Sequence, residues 1–254
     1  MENHTHEFVS DIIEKLEILY EDENVVVLNK PAGLIAHQSQ HTRACTLADW
    51  VHIRFPEMSK VGEPIRLQSG EMLSKPGMVH RLDTETSGVL ILARNSFSYQ
   101  FLKTQFQERV VKKTYNAFVY GSLKKNEGLI DRPIGRSSSD FRLFSATRGA
   151  RGTLREAQTY WRVLERTHEY SYLEIQPKTG RTHQIRVHLK AINHPIVCDK
   201  RYAPKKVCAL GFSRLALHAR SISIILPSGE KRLFEAPLPP DFEHALKIIS
   251  GKIC

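Results

Sequence analysis

Apolar positions along this chain fall into short continuous runs, hairpin-like pairs and a few stretches of helical spacing. Glu23 to Lys30 (ENVVVLNK) is apolar at successive positions, which predicts a buried strand stopped by Pro31 and Gly33. Gly88 to Arg94 (GVLILAR) and Thr114 to Gly121 (TYNAFVYG) predict two more strands. Ala157 to Leu164 (AQTYWRVL) and Tyr170 to Pro177 (YSYLEIQP) read as a hairpin pair. Ser221 to Leu226 (SISIIL), the turn PSGE and Lys231 to Ala236 (KRLFEA) read as another.

Helical spacing appears in four places. Leu47, Trp50, Val51, Arg54 and Phe55 recur at helical intervals behind Thr46, a capping residue. Ser96 or Ser98 caps a helix to Arg109, with Phe97, Phe101 and Phe106 on or near one face. Ile185, Leu189 and Ile192 share a face of a helix that Thr182 caps. Asp241 caps a last helix, Phe242 to Ile249. Residues 62 to 77, rich in Gly, Pro, Ser and charge, read as a loop or insertion. Residues 124 to 155, with Gly135, Gly149 and Gly152, read as a long irregular stretch. Strands arrive in runs and hairpins as well as with helices, so the class is α+β with a mixed, mostly antiparallel sheet.

Composition narrows the picture. The 254 residues are 41% hydrophobic and 25% charged, as in a foldable globular chain that buries its own core. No apolar run approaches the roughly 20 residues that span a bilayer, so no membrane partner is expected. The polar, acidic start is neither a secretory signal nor an Arg-rich transit peptide. Of the four cysteines, no two form a C-x-x-C pair, and the twelve histidines show no metal-ligand spacing. The expectation is therefore reduced, structural cysteines in a cytoplasmic protein without a metal. No Gly-rich dinucleotide or phosphate loop is present.

Charge changes the picture more. Lys and Arg number 37 against 27 Asp and Glu, a net charge of +10. Residues 1 to 24 carry eight acids and one base, net −7. Residues 109 to 155 carry eleven bases and three acids, net +8, and residues 178 to 206 carry eight bases and one acid, net +7. A basic middle on a foldable chain points to a polyanionic partner, although lysines and arginines also simply solvate surfaces.

Three segments carry candidate chemistry. In MVHRLDTETSGVLILARN, Asp83 sits in a polar turn beside Arg81, directly before a buried strand. Taken alone, such an Asp is a turn or capping residue. In KKTYNAFVYG, Tyr115 opens a strand behind Lys112 and Lys113; a lone Tyr there is ordinary half-buried packing. In QPKTGRTHQIRVHLKAINHPIVCDKRY, Arg181 starts a helix and Arg186 stands one turn inside it; two surface arginines would be the plain reading.

Taken in order, HRLDTETSG, KKTY and TGRTHQIRVH resemble the motifs of the RluA family of pseudouridine synthases. The likeness extends to LEILYEDENVVVLNKPAGL at the front and to RLALHARSISIIL and FEAPLPPDF at the back, about Leu16 to Phe242. The resemblance implies a single α+β catalytic domain, residues 17–254, on a long mixed, mostly antiparallel sheet with a central RNA-binding cleft. An acidic extension, residues 1–16, precedes it. The resemblance also implies a reaction, isomerisation of uridine within structured RNA to pseudouridine without any cofactor. The family's nucleophilic aspartate falls on Asp83 and its active-site tyrosine on Tyr115. The arginine paired with the aspartate falls on Arg181, with Arg186 as second choice. Arg81 falls where an arginine helps displace the target base. Lys112, Lys113, Lys124, Lys125 and Arg186 are RNA-binding candidates.

Many family members carry an S4-type RNA-binding domain in front. Fewer than twenty residues precede LEILYEDE here, so target choice is expected within the catalytic domain, in residues 62 to 77 and the basic stretch after Lys124. Ribosomal RNA is the expected substrate, transfer RNA the alternative, and the chain is expected to be a monomer. A non-catalytic RNA-binding or ribosome-assembly protein is the rival. A hydrolase lacks support, because no G-x-S-x-G elbow is present.

Overall fold

The structure is a computed structural model. It describes residues 16–37, 45–66, 70, 72–138, 140, 142–147 and 150–252. The acidic extension lies, Leu16 apart, outside the described residues. The chain forms two compact units: Met1–Val111 with Ser221–Ala236, and Lys112–Arg220 with Pro237–Cys254. The class is α+β, and the strand pairs described below are antiparallel.

In the first unit, strands Glu17–Glu21, Val25–Lys30 and Ser87–Ala93 pair in that order. The second and third of these strands are the continuous apolar runs, and Val25, Val26, Val27 and Leu28 are fully buried, as are Leu90, Ile91, Leu92 and Ala93. A run with no polar alternate cannot face water on either side, so these segments form the centre of a layer. The returning segment adds the expected hairpin, with Ser221 to Ile225 paired against Glu235 to Lys231. The helix Leu47–Arg54 starts as its sequence predicts. Thr46 Oγ1 accepts the Asp49 N–H, and the Asp49 carboxylate accepts the Thr46 N–H at 2.7 Å.

The helix Ser96–Gln107 starts differently from expectation. Asn95, not a serine, is its cap, and its Oδ1 accepts the Ser98 N–H at 2.9 Å. The inward face carries Ser98, Leu102 and Gln105, while Phe97 is 66% exposed. Gln105 reads the strand end at Ile225 in both directions, donating to its carbonyl at 2.8 Å and accepting its N–H at 3.0 Å. Within residues 62 to 77, Ile65–Arg66 and Met72–Leu73 form a short two-stranded ladder.

In the second unit, Lys112–Tyr120, Tyr170–Pro177, Gln158–Arg166 and Glu127–Asp131 pair in that order. Their core gathers Phe118, Tyr172, Leu173, Ile175, Leu189 and Phe242. The stretch after Lys124 is not irregular. Besides Glu127–Asp131, it holds a three-stranded sheet of Ile134–Ser137, Phe144–Ser145 and Ala150–Arg155. Ala150–Arg155 is exposed almost throughout, so no apolar alternation marked it. The last helix runs Pro240–Ile249 without a side-chain cap; Asp241 instead pairs with Arg214 at 2.7 Å.

Candidate active site

Asp83 lies in the first unit, at the head of a tight turn in which the Thr86 N–H returns to the Asp83 carbonyl at 3.1 Å. The strand Ser87–Ala93 begins immediately after it. The turn is fastened from the far side as well. The Gly33 N–H donates to the Thr84 carbonyl at 2.8 Å. The Lys30 ammonium, fully buried, donates to the carbonyls of Pro31 (2.8 Å), Leu34 (2.9 Å) and Thr84 (3.1 Å). Leu82 is buried, while Asp83 is half-buried and Arg81 exposed, 3.4 Å from the His37 ring. Upstream, His80 stacks on Phe106 and accepts the Ile91 N–H at 3.1 Å. A half-exposed carboxylate therefore stands on a backbone tied to the core on both sides. Nearby, burial and the charge of Arg81 lower the Lys75 pKa.

Tyr115 lies in the second unit, on the strand Lys112–Tyr120, in register with Ile175 and half-buried against the core. Lys112 is exposed and Lys113 half-buried, and burial lowers the Lys113 pKa. The strand brings the second and third motifs together, because a Cβ on Gly180 would stand 3.7 Å from the Lys113 ammonium. Lys124 and Lys125 are exposed beyond the end of the strand.

The third motif is organised by Gln184. Its Oε1 accepts from Thr179 Oγ1 at 2.6 Å and from the Arg181 N–H at 3.0 Å. Its Nε2 donates to the Gln158 carbonyl at 2.9 Å and to Thr159 Oγ1 at 3.0 Å. One buried amide thus staples the TGR loop to the neighbouring strand. The helix Gln184–Ala191 begins one residue after His183, which adopts a left-handed conformation with φ of 55°. Thr182 is not its cap, and Arg181 precedes the helix rather than starting it.

The two arginines of this motif differ sharply. Arg181 is half-buried, and its Nε donates to the Glu156 carbonyl at 3.0 Å. Arg186 is 4% exposed and makes a bidentate pair with Asp199, which is fully enclosed: Nε to Oδ2 at 2.9 Å and Nη2 to Oδ1 at 2.7 Å. Burial lowers the pKa of His188, whose ring bridges Thr159 Oγ1 and the Arg132 carbonyl, both at 2.9 Å. That is a structural histidine.

The cysteines depart from expectation. Cys198 and Cys208 form a disulfide with Cα atoms 4.5 Å apart. The intervening residues double back, which spacing alone does not reveal. Lys30, Gln184, Asp199 and Tyr202 are all buried and lie outside the residues that the sequence singles out; the lysine ahead of Pro-x-Gly is the most legible of them. Among the described residues, no group of three His, Cys, Asp or Glu could hold a metal, and no helix is long and apolar enough to cross a membrane.

Comparison with known proteins gives one consistent result. A family model described as RNA pseudouridylate synthase matches residues 24–191. The chain is 37% identical over 239 residues to an uncharacterized RNA pseudouridine synthase of Synechocystis, covering 94% of this chain and 70% of that one. It is 39% identical over 245 residues to ribosomal large subunit pseudouridine synthase D of Neisseria meningitidis serogroup B, covering 92% of this chain and 61% of that one. Among solved structures, human RNA pseudouridylate synthase domain containing 4 matches with a TM-score of 0.72 and 28% identity over 98% of each chain.

Proposed function

We propose the roles that follow from the premise that this chain belongs to the RNA pseudouridylate synthase family. The chain is an RNA pseudouridine synthase, an isomerase that converts uridine within RNA to pseudouridine. The N1–C1′ bond breaks, the uracil turns, C5 bonds to C1′, the C5 proton leaves, and N1 takes up a proton. Uridine and pseudouridine are isomers, so the net change needs no oxidant, reductant or group donor.

Asp83 is the nucleophile in this reading. Its carboxylate bonds to sugar or base and divides one difficult exchange into two. The observation that carries the assignment is the turn fixed by Lys30, Gly33 and Thr86, which holds that carboxylate at the edge of a core. Arg186, rather than Arg181, serves as the arginine that orients the carboxylate. It is buried and rigidly held, whereas Arg181 is tied to a backbone carbonyl and suits an RNA contact. Tyr115 offers a half-buried ring to stack on uracil and a hydroxyl for the proton leaving C5. Exposed Arg81 helps displace the target base, which must leave its stack at a cost of a few kcal/mol. Lys112, Lys113, Lys124 and Lys125 offset that cost through phosphate contacts.

Ribosomal RNA is the substrate in this proposal, supported by the name of the Neisseria relative. The enzyme acts as a cytoplasmic monomer, and in that reducing compartment Cys198 and Cys208 would return to thiols. The central test is Asp83→Asn, which keeps shape and removes the nucleophile. Tritium release from 5-labelled uridine in RNA should vanish while RNA binding survives. Wild-type turnover would sink the mechanism. Pseudouridine mapping in a deletion strain assigns the target, and loss confined to transfer RNA would overturn the ribosomal assignment.

A further inference from the structure

The Arg186–Asp199 pair extends the site beyond its three motifs. We propose that Asp199 is a positioning residue of the isomerisation, fixing the plane and position of the Arg186 guanidinium on which the reaction depends. The inference rests on the reading that Arg186 is the arginine of the site.

Three observations carry it. First, the carboxylate grips the guanidinium through two bonds, Nε to Oδ2 at 2.9 Å and Nη2 to Oδ1 at 2.7 Å, which fix its plane as well as its position. Secondly, the carboxylate is itself held. Its Oδ1 accepts the backbone N–H groups of Tyr202 at 2.9 Å and Arg201 at 3.1 Å. Thirdly, the Tyr202 ring lies against the guanidinium face, 5.2 Å from centroid to carbon. That ring is pinned by its hydroxyl, which meets His183 Nδ1 at 2.8 Å and accepts the Phe144 N–H at 3.2 Å. The turn carrying Asp199 is also closed at its base. The Tyr120 hydroxyl accepts the Cys198 N–H at 3.1 Å and donates to the Val207 carbonyl at 2.7 Å. Arg186 is thus clamped on one edge and one face by groups that cannot move independently.

Energetics favour orientation over stability as the reason for this clamp. A buried ion pair is a weak source of stability, because desolvation offsets most of the attraction, and well-packed apolar residues often do as well. What apolar residues cannot supply is a charge held at a fixed angle. Such preorganisation matters in catalysis, where a displacement near 1 Å can cost about a hundredfold in rate.

The test uses single-turnover tritium release at saturating substrate RNA, with RNA dissociation constants measured alongside. Asp199→Asn keeps the shape and an acceptor for the turn but loses the charged, two-bond grip. It should lower the rate about a hundredfold and leave the dissociation constant within about twofold. In an Arg186→Lys background, where the side chain cannot be gripped by two bonds, Asp199→Asn should cost less than about threefold. Equal losses in both backgrounds would mean that Asp199 does not act through Arg186. If Asp199→Asn fails to fold, Asp199→Glu keeps the charge on a longer arm and should still slow the rate about tenfold with unchanged affinity. A wild-type rate in either Asp199 variant, with Arg186→Gln inactive, would overturn the positioning role alone. A wild-type rate in Arg186→Gln would overturn the reading of the site beneath it.

Discussion

The Lys30 ammonium donates to the Thr84 carbonyl at 3.1 Å, one residue beyond Asp83 and fifty-four residues away in sequence. The lysine is fully buried at the end of the strand Val25–Lys30, so the contact is shielded from water. The same ammonium serves the carbonyls of Pro31 and Leu34, which close the bend after the strand. One cation therefore ties two backbone segments into a single platform for the carboxylate. Lys30→Met matches the length and removes the donors, leaving three carbonyls without the ammonium in a low-dielectric interior. The loss should be about 3–5 kcal/mol in urea unfolding. Single-turnover isomerisation should fall further than the unfolded fraction explains. Unchanged stability together with an unchanged rate would show that the ammonium does not fix the turn.

The two arginines of the third motif should separate by kinetics. Arg186→Gln removes the buried guanidinium and should abolish single-turnover tritium release. Arg181→Gln leaves that arrangement intact and should weaken RNA binding by the share of one phosphate, with the saturating rate within about tenfold of wild type. The opposite pattern would return the catalytic part to Arg181.

The fold was legible wherever burial is continuous. The runs ENVVVLNK and GVLILAR became the strands Val25–Lys30 and Ser87–Ala93, because unbroken apolar residues need cover on both faces, and TYNAFVYG became the strand Lys112–Tyr120, whose second half is buried. The strand Ala150–Arg155 was invisible for the converse reason. It is held by backbone pairing of Ala150 with Ser137 and Arg151 with Arg136, and backbone hydrogen bonds leave no mark on side-chain pattern. The motif helix starts later than its sequence predicts because His183, not a glycine, takes the left-handed conformation there. Asp83 was legible only through the resemblance of its motif, since its turn geometry is that of many non-catalytic aspartates. Asp199 could not be reached at all, because its partner is thirteen residues away across a turn that local propensity does not specify.

Thiol counting checks the disulfide directly. The chain has four cysteines, and Cys198 and Cys208 are paired. Protein oxidised in air and unfolded in guanidinium without reductant should therefore titrate two thiols fewer through this bridge than after reduction. The bridge closes a loop of ten residues, for which the chain-entropy account gives about 3 kcal/mol. Reduction should lower the midpoint of unfolding accordingly. Four thiols at the outset would refute the pairing.

Alkaline pH should destabilise the second unit. Burial pushes the phenols of Tyr172 and Tyr202 up to about 12. In the unfolded chain they ionise near the ordinary value of about 10. Between these two values the unfolded state has lost protons that the fold retains, so unfolding gains and stability falls as pH rises. Below pH 10 the contribution is fully present. Each tyrosine should account for up to about 2–3 kcal/mol of the fall. Tyr172→Phe cannot ionise and should lose less stability than wild type between pH 9 and pH 12, measured by denaturant unfolding. Parallel curves for the two proteins would contradict the direction of the shift.

Salt dependence should report how the basic surface engages RNA. Counterions released from phosphates make log affinity fall linearly with log salt, by about 0.7 per phosphate on a single strand. The runs at residues 109 to 155 and 178 to 206 carry net +8 and +7, but not every base in them is available to RNA. Arg142 pairs with Asp140, and Arg186 is buried against Asp199. About three to six phosphates therefore remain a reasonable count, which predicts a slope of about −2 to −4. Lys124 and Lys125 are exposed, and reversing both to glutamate should reduce the slope by about 1.4 if each meets a phosphate. Reversing Glu14 in the acidic head should leave it unchanged, because an acid there cannot be neutralising a phosphate. A flat salt response in the wild-type protein would mean that RNA is held by shape and base contacts, and that the basic runs serve only to solvate the surface.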